Sequence, residues 1–97
     1  MNLSAVEALY SLGKQVTPEL IAVIANLNST ELVRRNAAQS ILLLYRATMP
    51  DPVVVLATAA RAQSNPSSYN QLMEQAKWAA SRCSPEWKND CENALVK

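Results

Sequence analysis

Hydrophobic residues recur along this chain at the three- and four-residue spacing of amphipathic helices, and short polar segments separate them. One line of apolar and small side chains has a 4-4-3-4 spacing, which places its members on one side of a helix. It consists of Val33, Ala37, Ile41, Leu44 and Thr48. Two other segments, 18–27 and 53–60, are apolar on nearly every side, which predicts short, well-buried helices.

Prolines mark most of the predicted helix starts. Four of the five prolines follow a residue with a small oxygen-bearing side chain, in the pairs Thr17-Pro18, Asp51-Pro52, Asn65-Pro66 and Ser84-Pro85. Such a side chain can accept a bond from an unpaired N–H at a helix start. Proline fits the next position because its missing N–H would have no partner there. Each pair is therefore predicted to begin a helix.

Together these patterns predict about six helices and an all-α fold. The first covers about residues 4–13, and the second runs from Thr17-Pro18 to about Leu27. The third follows a capping box at Asn28–Glu31 and reaches about Ala47. The fourth covers about 51–63, the fifth about 65–82, and the sixth begins at Ser84-Pro85.

The two short apolar helices are predicted to start 34 residues apart, at Thr17 and Asp51, and a longer helix follows each of them. This period favours repeated helical hairpins that stack on one another. Stacking is needed because each hairpin alone leaves an apolar side uncovered. We expect residues 1–97 to form a single domain of stacked antiparallel hairpins, with an irregular helical bundle as the alternative.

The segment 18–44 resembles a HEAT-type repeat. That family has an apolar first helix that opens with proline, a polar turn, and a second helix that opens with Val-Arg and a pair of small residues. Val33-Arg34 and Ala37-Ala38 match those positions. The second unit matches in helix order and alanine content but lacks the Val-Arg step. The resemblance implies a short α-solenoid whose second helices line the ligand-binding side.

Composition excludes several kinds of functional site. The chain has no histidine, two cysteines and one glycine, so His general bases, ordinary zinc sites and glycine-rich phosphate loops cannot be built. Its net charge of +1 creates no strong field for nucleic acid or anionic membranes. No run approaches the ~18 apolar residues of a transmembrane helix. We therefore expect a protein that is not an enzyme, has no cofactor or metal, and does not enter a membrane.

The resemblance directs attention to the exposed lines of the third and fifth predicted helices. The candidate partner-binding residues on these lines are Arg35, Gln39, Arg46, Gln75, Trp78 and Arg82. A tryptophan with arginines nearby has the composition of an interaction hot spot. The alternative is a solvated face on which Trp78 merely packs against a neighbouring helix.

The expected function is binding of an unknown partner protein, as an adaptor or inhibitor. One alternative is a nucleic-acid-binding module, in which Arg35, Arg46 and Arg82 would contact phosphates; the small net charge argues against it. The other alternative is a self-associating structural domain. A short stack exposes apolar ends, which a homodimer would cover.

Cys83 and Cys91 are placed at the end of the fifth predicted helix and within the sixth. A tight hairpin could join them in a disulfide, which would imply an oxidising compartment. Two buried thiols are an equal alternative, because free cysteine behaves as a small hydrophobic residue. No signal peptide is visible at the start of the chain. The expected location is cytoplasmic, or secreted or periplasmic if the cysteines are bonded.

Overall fold

The computed structural model describes residues 15–96, which form helices joined by short loops. Helix α1 covers 15–25, α2 Glu31–Leu44, α3 Asp51–Arg61 and α4 Pro66–Ser81. A 3-10 turn at Pro85–Trp87 leads into α5, Lys88–Val96. This part of the chain contains no strand, so the predicted all-α class is confirmed. The first predicted helix, 4–13, lies outside the described residues.

The starts of α2 and α4 show how side-chain caps set helix boundaries. Asn65 caps α4 as predicted, and its side chain accepts bonds from two backbone N–H groups of the first turn at 2.8 and 3.3 Å. Helix α2 begins later than predicted, because Thr30 is its cap and accepts from the Val33 N–H at 3.2 Å. Asn28 belongs to the preceding turn, where its N–H donates to the Asn26 side chain at 2.9 Å.

The other proline pairs do not cap helices through their side chains. Thr17 lies inside α1, which is already helical at residue 15, and its hydroxyl is 2.8 Å from the Tyr45 hydroxyl. Asp51 is the first residue of α3, and Pro50 holds the cap position. Ser84 precedes the 3-10 turn without a side-chain bond to it. The prediction that Thr17 begins a helix is wrong, and the residue instead connects α1 to the end of α2.

The core receives side chains from α1 through α5. Five large members are completely inaccessible to solvent: Ile24, Ile41, Val53, Leu56 and Leu72. Among α2 to α5, helices α3 and α4 form the most extensive pair. Alanines at Ala57, Ala60, Ala76 and Ala79 are also fully buried along these two helices. Small side chains allow the backbones to approach closely, so this pair forms the centre of the fold.

Helix α2 turns a different side to the core than its spacing predicts. Ala37 and Ile41 are buried as expected, but Val33 is 45% exposed. Leu42, which is not part of the predicted apolar line, is only 2% exposed, and Ala38 is fully buried. The side of α2 that carries Ala38 and Leu42 therefore also belongs to the core. The single line of apolar residues was therefore only partly correct.

The order of packing places α2 and α4 side by side. Helix α1 lies next to α3, where Ile21 and Val55 line a shared groove. The start of α4 is connected to the end of α1 by the Ser68 hydroxyl, which donates to the Ala25 carbonyl at 2.8 Å. Helices α2 and α4 are also in contact, and Arg35 of α2 bonds Gln75 of α4. The candidate residues of both helices are thereby brought onto one side of the molecule.

A disulfide attaches the last helix to the body of the domain. Cys83, just past the end of α4, and Cys91 of α5 form this disulfide, the first of the two alternatives predicted for them. Arg61 on α3 donates to the Ala94 carbonyl of α5 at 2.7 Å. Helix α5 is therefore held covalently to the end of α4 and by a hydrogen bond to α3.

Candidate functional site

Trp78 on α4 has two arginine side chains against its ring. The guanidinium carbon of Arg35, on α2, is 4.5 Å from the ring centroid. The guanidinium carbon of Arg82, just past the end of α4, is 5.6 Å from it. Both lie within the ~6 Å over which a cation is attracted to an aromatic face. We call Arg35, Trp78 and Arg82 the arginine–tryptophan cluster.

Gln75 fixes the position of Arg35 from the protein interior. Gln75 is fully buried, so the prediction that it lies on an exposed line is wrong. Its Oε1 accepts from Arg35 Nε at 2.8 Å. Because Nε–H can only donate, the amide oxygen must face the arginine. The bond uses the inner nitrogen of the guanidinium, and the two terminal nitrogens bond no other group within residues 15–96. Those nitrogens remain available to a ligand.

Burial of Gln75 leaves its amide nitrogen without a hydrogen-bond acceptor among the described residues. An unpaired buried donor costs about 1–3 kcal/mol of stability. An apolar side chain of similar size would fill the same space in the core without burying an unpaired donor. The polar residue is thus explained by its bond to Arg35 rather than by core packing.

We expect Gln75→Met to keep the free energy of unfolding within about 1 kcal/mol of wild type, or to raise it, since methionine has a similar volume and removes the unpaired donor. Gln75→Ala should lower it by about 2–3 kcal/mol because a cavity remains. Urea unfolding followed by circular dichroism measures both. A loss above about 2 kcal/mol in Gln75→Met would show that the bond to Arg35 is needed for folding.

The cluster carries two positive charges that no carboxylate neutralises in the described part of the chain. Glu74 lies four residues before Trp78 and is exposed, yet it bonds to neither arginine. Lys77, the residue before Trp78, is also exposed. The local charge is therefore positive although the whole chain is nearly neutral.

The remaining two candidates lie outside the cluster. Gln39 is exposed one turn after Arg35, on the same side of α2. Arg46 lies beyond the end of α2 at φ 69°, and its guanidinium is 3.8 Å from Met49 Sδ. The prediction that Arg46 continues the exposed line of the helix is wrong. It occupies the left-handed position that ends many helices, where glycine is the usual residue.

The exposed side of α2 carries two leucines that are not among the predicted partner-binding residues. Leu32 is 70% exposed and Leu43 is 75% exposed, on either side of Gln39. At 1.5 Å per residue they are about 16 Å apart along the helix. Both lie off the apolar line predicted for this helix, but so does the buried Leu42, so the spacing alone could not have identified them.

Comparison with protein-family models, curated proteins and solved structures finds no match to this chain. Over residues 15–96, no helix is long and apolar enough to cross a bilayer. The same residues contain no group of three or more cysteines and carboxylates placed to hold a metal ion. The arginine–tryptophan cluster with Gln75 is therefore the best-defined candidate site.

Proposed function

We propose that this protein is a small helical interaction module that binds another protein through the face formed by α2 and α4. The observation that carries the proposal is the arginine–tryptophan cluster, with Arg35 held by the buried Gln75. Tryptophan and arginine dominate binding energies at interfaces, because they combine a large contact area with directed polar groups. The cluster offers both in one place.

The arrangement of the cluster favours binding because it is ordered in advance. Fixing a flexible side chain at an interface costs about 0.5–1.5 kcal/mol. The contacts of Arg35 with Gln75 and Trp78 already restrict its four rotatable side-chain bonds in the free protein. A partner that meets this surface would lose less conformational entropy than one that meets a mobile arginine.

The alternative of a solvated face accounts less well for the same residues. On a solvated face nothing requires a fully buried glutamine with an unpaired amide nitrogen. Such a residue is disfavoured in a core unless it positions another group. Positioning Arg35 for a partner supplies that reason.

The packing order supports a short HEAT-like solenoid as the architecture of this module. Helices α1 and α3 are neighbours, as are α2 and α4. In the family that the sequence resembles, such second helices form the binding side. The proposed face lies on the two helices that correspond to them.

We also infer that the protein works in an oxidising compartment, as a secreted or periplasmic protein. The Cys83–Cys91 disulfide supports this location, because reducing systems of the cytosol keep most cysteines as thiols. Alkylation of the protein directly in its native cells, with both thiols found free, would contradict this location.

We expect the double variant Arg35→Ala, Trp78→Ala to bind its partner at least about 30-fold more weakly, because hot-spot truncation costs about 2 kcal/mol or more. The partner is captured from extracts of the native host, identified, purified and titrated calorimetrically. Lys88→Ala, which removes an exposed cation on α5, is the matched control and should bind like wild type.

Trp78 also packs against the core, so a second variant separates binding from folding. Arg35→Gln with Arg82→Gln keeps the indole ring and should lose binding while its circular dichroism is unchanged. Full binding by both double variants would refute the assignment of this face.

The two alternative functions predict different outcomes. Capture of nucleic acid alone, lost between about 50 and 200 mM salt, would favour the nucleic-acid alternative. Dimerisation abolished by the same variants would favour self-association.

A further inference from the structure

We propose that the partner presents an acidic, amphipathic segment to this face, with carboxylates at Arg35 and Arg82 and apolar side chains at Leu32 and Leu43. This inference rests on the proposed function and specifies the chemistry of its ligand.

The charge of the cluster calls for an anion. The two guanidinium carbons lie 4.5 and 5.6 Å from the same ring centroid. They are therefore no more than about 10 Å apart, which is about one Debye length at 0.1 M salt, so their mutual repulsion is only partly screened. Neither arginine forms an ion pair with a carboxylate of residues 15–96. Negatively charged ligand groups at the two arginines would relieve this repulsion.

The orientation of Arg35 suits a carboxylate in particular. Its Nε is committed to Gln75, which leaves the pair of terminal nitrogens unbonded within the described chain. A planar guanidinium edge can bind the two oxygens of a carboxylate with two parallel hydrogen bonds. Arg82 is exposed and adds a second donor beside the same ring. The site therefore matches glutamate or aspartate side chains.

The exposed leucines of α2 favour a protein segment over a nucleic acid. Leu32 and Leu43 lie about 16 Å apart on the solvent side of the helix, a distance that three turns of a bound helix would span. Nucleic-acid interfaces are strongly positive and polar, whereas this chain has a net charge of only +1. A segment with carboxylates on one side and leucines on the other complements both features.

The test uses designed peptides and the fluorescence of Trp78. Of the two tryptophans, Trp87 is replaced in a Trp87→Phe variant so that Trp78 alone reports binding. The probes are a helical leucine–glutamate peptide, the same peptide with glutamine for glutamate, and single-stranded and duplex DNA oligonucleotides. Titrations are repeated at two salt concentrations.

We expect the acidic peptide to change the Trp78 emission and to bind at least about tenfold more tightly than the glutamine peptide, because charge complementarity separates the two. Arg35→Gln and Arg82→Gln should each weaken it about tenfold. Higher salt should weaken it several-fold. Leu43→Ala should weaken both peptides equally, because it removes an apolar contact.

Equal binding of the acidic and neutral peptides would overturn this inference and leave the protein-binding face in place. Absence of binding by both peptides up to about 1 mM would also overturn it. Tighter binding of an oligonucleotide than of the acidic peptide would replace it with the nucleic-acid alternative. Undiminished binding of the acidic peptide to the Arg35→Gln, Arg82→Gln variant would refute the face itself, and with it the proposed function.

Discussion

Leu56→Ala is expected to lower the free energy of unfolding by about 3–4 kcal/mol, a large share of the total stability of a domain of this size. Leu56 lies on α3 and is completely inaccessible to solvent. The side chains around it belong to closely packed helices, which can collapse only partly into the space it would leave. The loss therefore combines the transfer of a buried isobutyl group with a residual cavity.

The matched control is Leu43→Ala, which removes the same atoms from a site that is 75% exposed. It should change the free energy of unfolding by no more than about 0.5 kcal/mol. Urea unfolding monitored by circular dichroism, with scanning calorimetry, measures both variants. Similar losses in the two variants would contradict the burial pattern and the position of the core.

Replacing both bonded cysteines, Cys83→Ala with Cys91→Ala, is expected to lower the free energy of unfolding by about 2.5 kcal/mol. The loop closed by the disulfide spans a sequence separation of 8. In the chain-entropy treatment, closing a loop of this length restricts the unfolded state by about that amount. Alanine leaves only a small cavity at the fully buried Cys91.

The loss should be concentrated in α5. This helix has 9 residues, and isolated helices shorter than about 12–15 residues are marginal in water. Without the disulfide, α5 is held by its packing against α3 and α4 and by the hydrogen bond from Arg61 to Ala94. Hydrogen exchange should show faster exchange in α5 with little change in α3 and α4. Reduction of the wild-type protein should reproduce the effect, and unchanged protection of α5 in both cases would show that packing alone holds it.

Helix positions were largely predictable because their signals act over a few residues. Asn65 followed by Pro66 begins α4 as expected, since a side-chain cap needs only the first turn of its own helix. The helix boundaries that were predicted wrongly depend on more distant parts of the chain. Thr17 of α1 bonds Tyr45, which lies just past the end of α2. Arg46 adopts a left-handed conformation that its residue type does not signal.

The candidate site was predictable as a set of residues but not as an arrangement. The candidates predicted from two helices include Arg35, Gln75, Trp78 and Arg82. Arg35 contacts Gln75 and Trp78, and Arg82 contacts Trp78. Their residue types are typical of interaction surfaces wherever they occur. The burial of Gln75 and its bond to Arg35 depend on how α2 rotates against α4, which no short-range pattern specifies. The same rotation buries Leu42.

By itself, the sequence determined the all-α class, most of the helices, and the absence of histidine-based chemistry. These properties follow from composition, caps and apolar periodicity, which need no knowledge of distant contacts. Only the tertiary structure decided that Cys83 bonds Cys91, that Arg35 donates a hydrogen bond to Gln75, and that its guanidinium lies against the Trp78 ring. Those pairings depend on the rotation and close approach of whole helices, and side-chain packing across the entire core sets both.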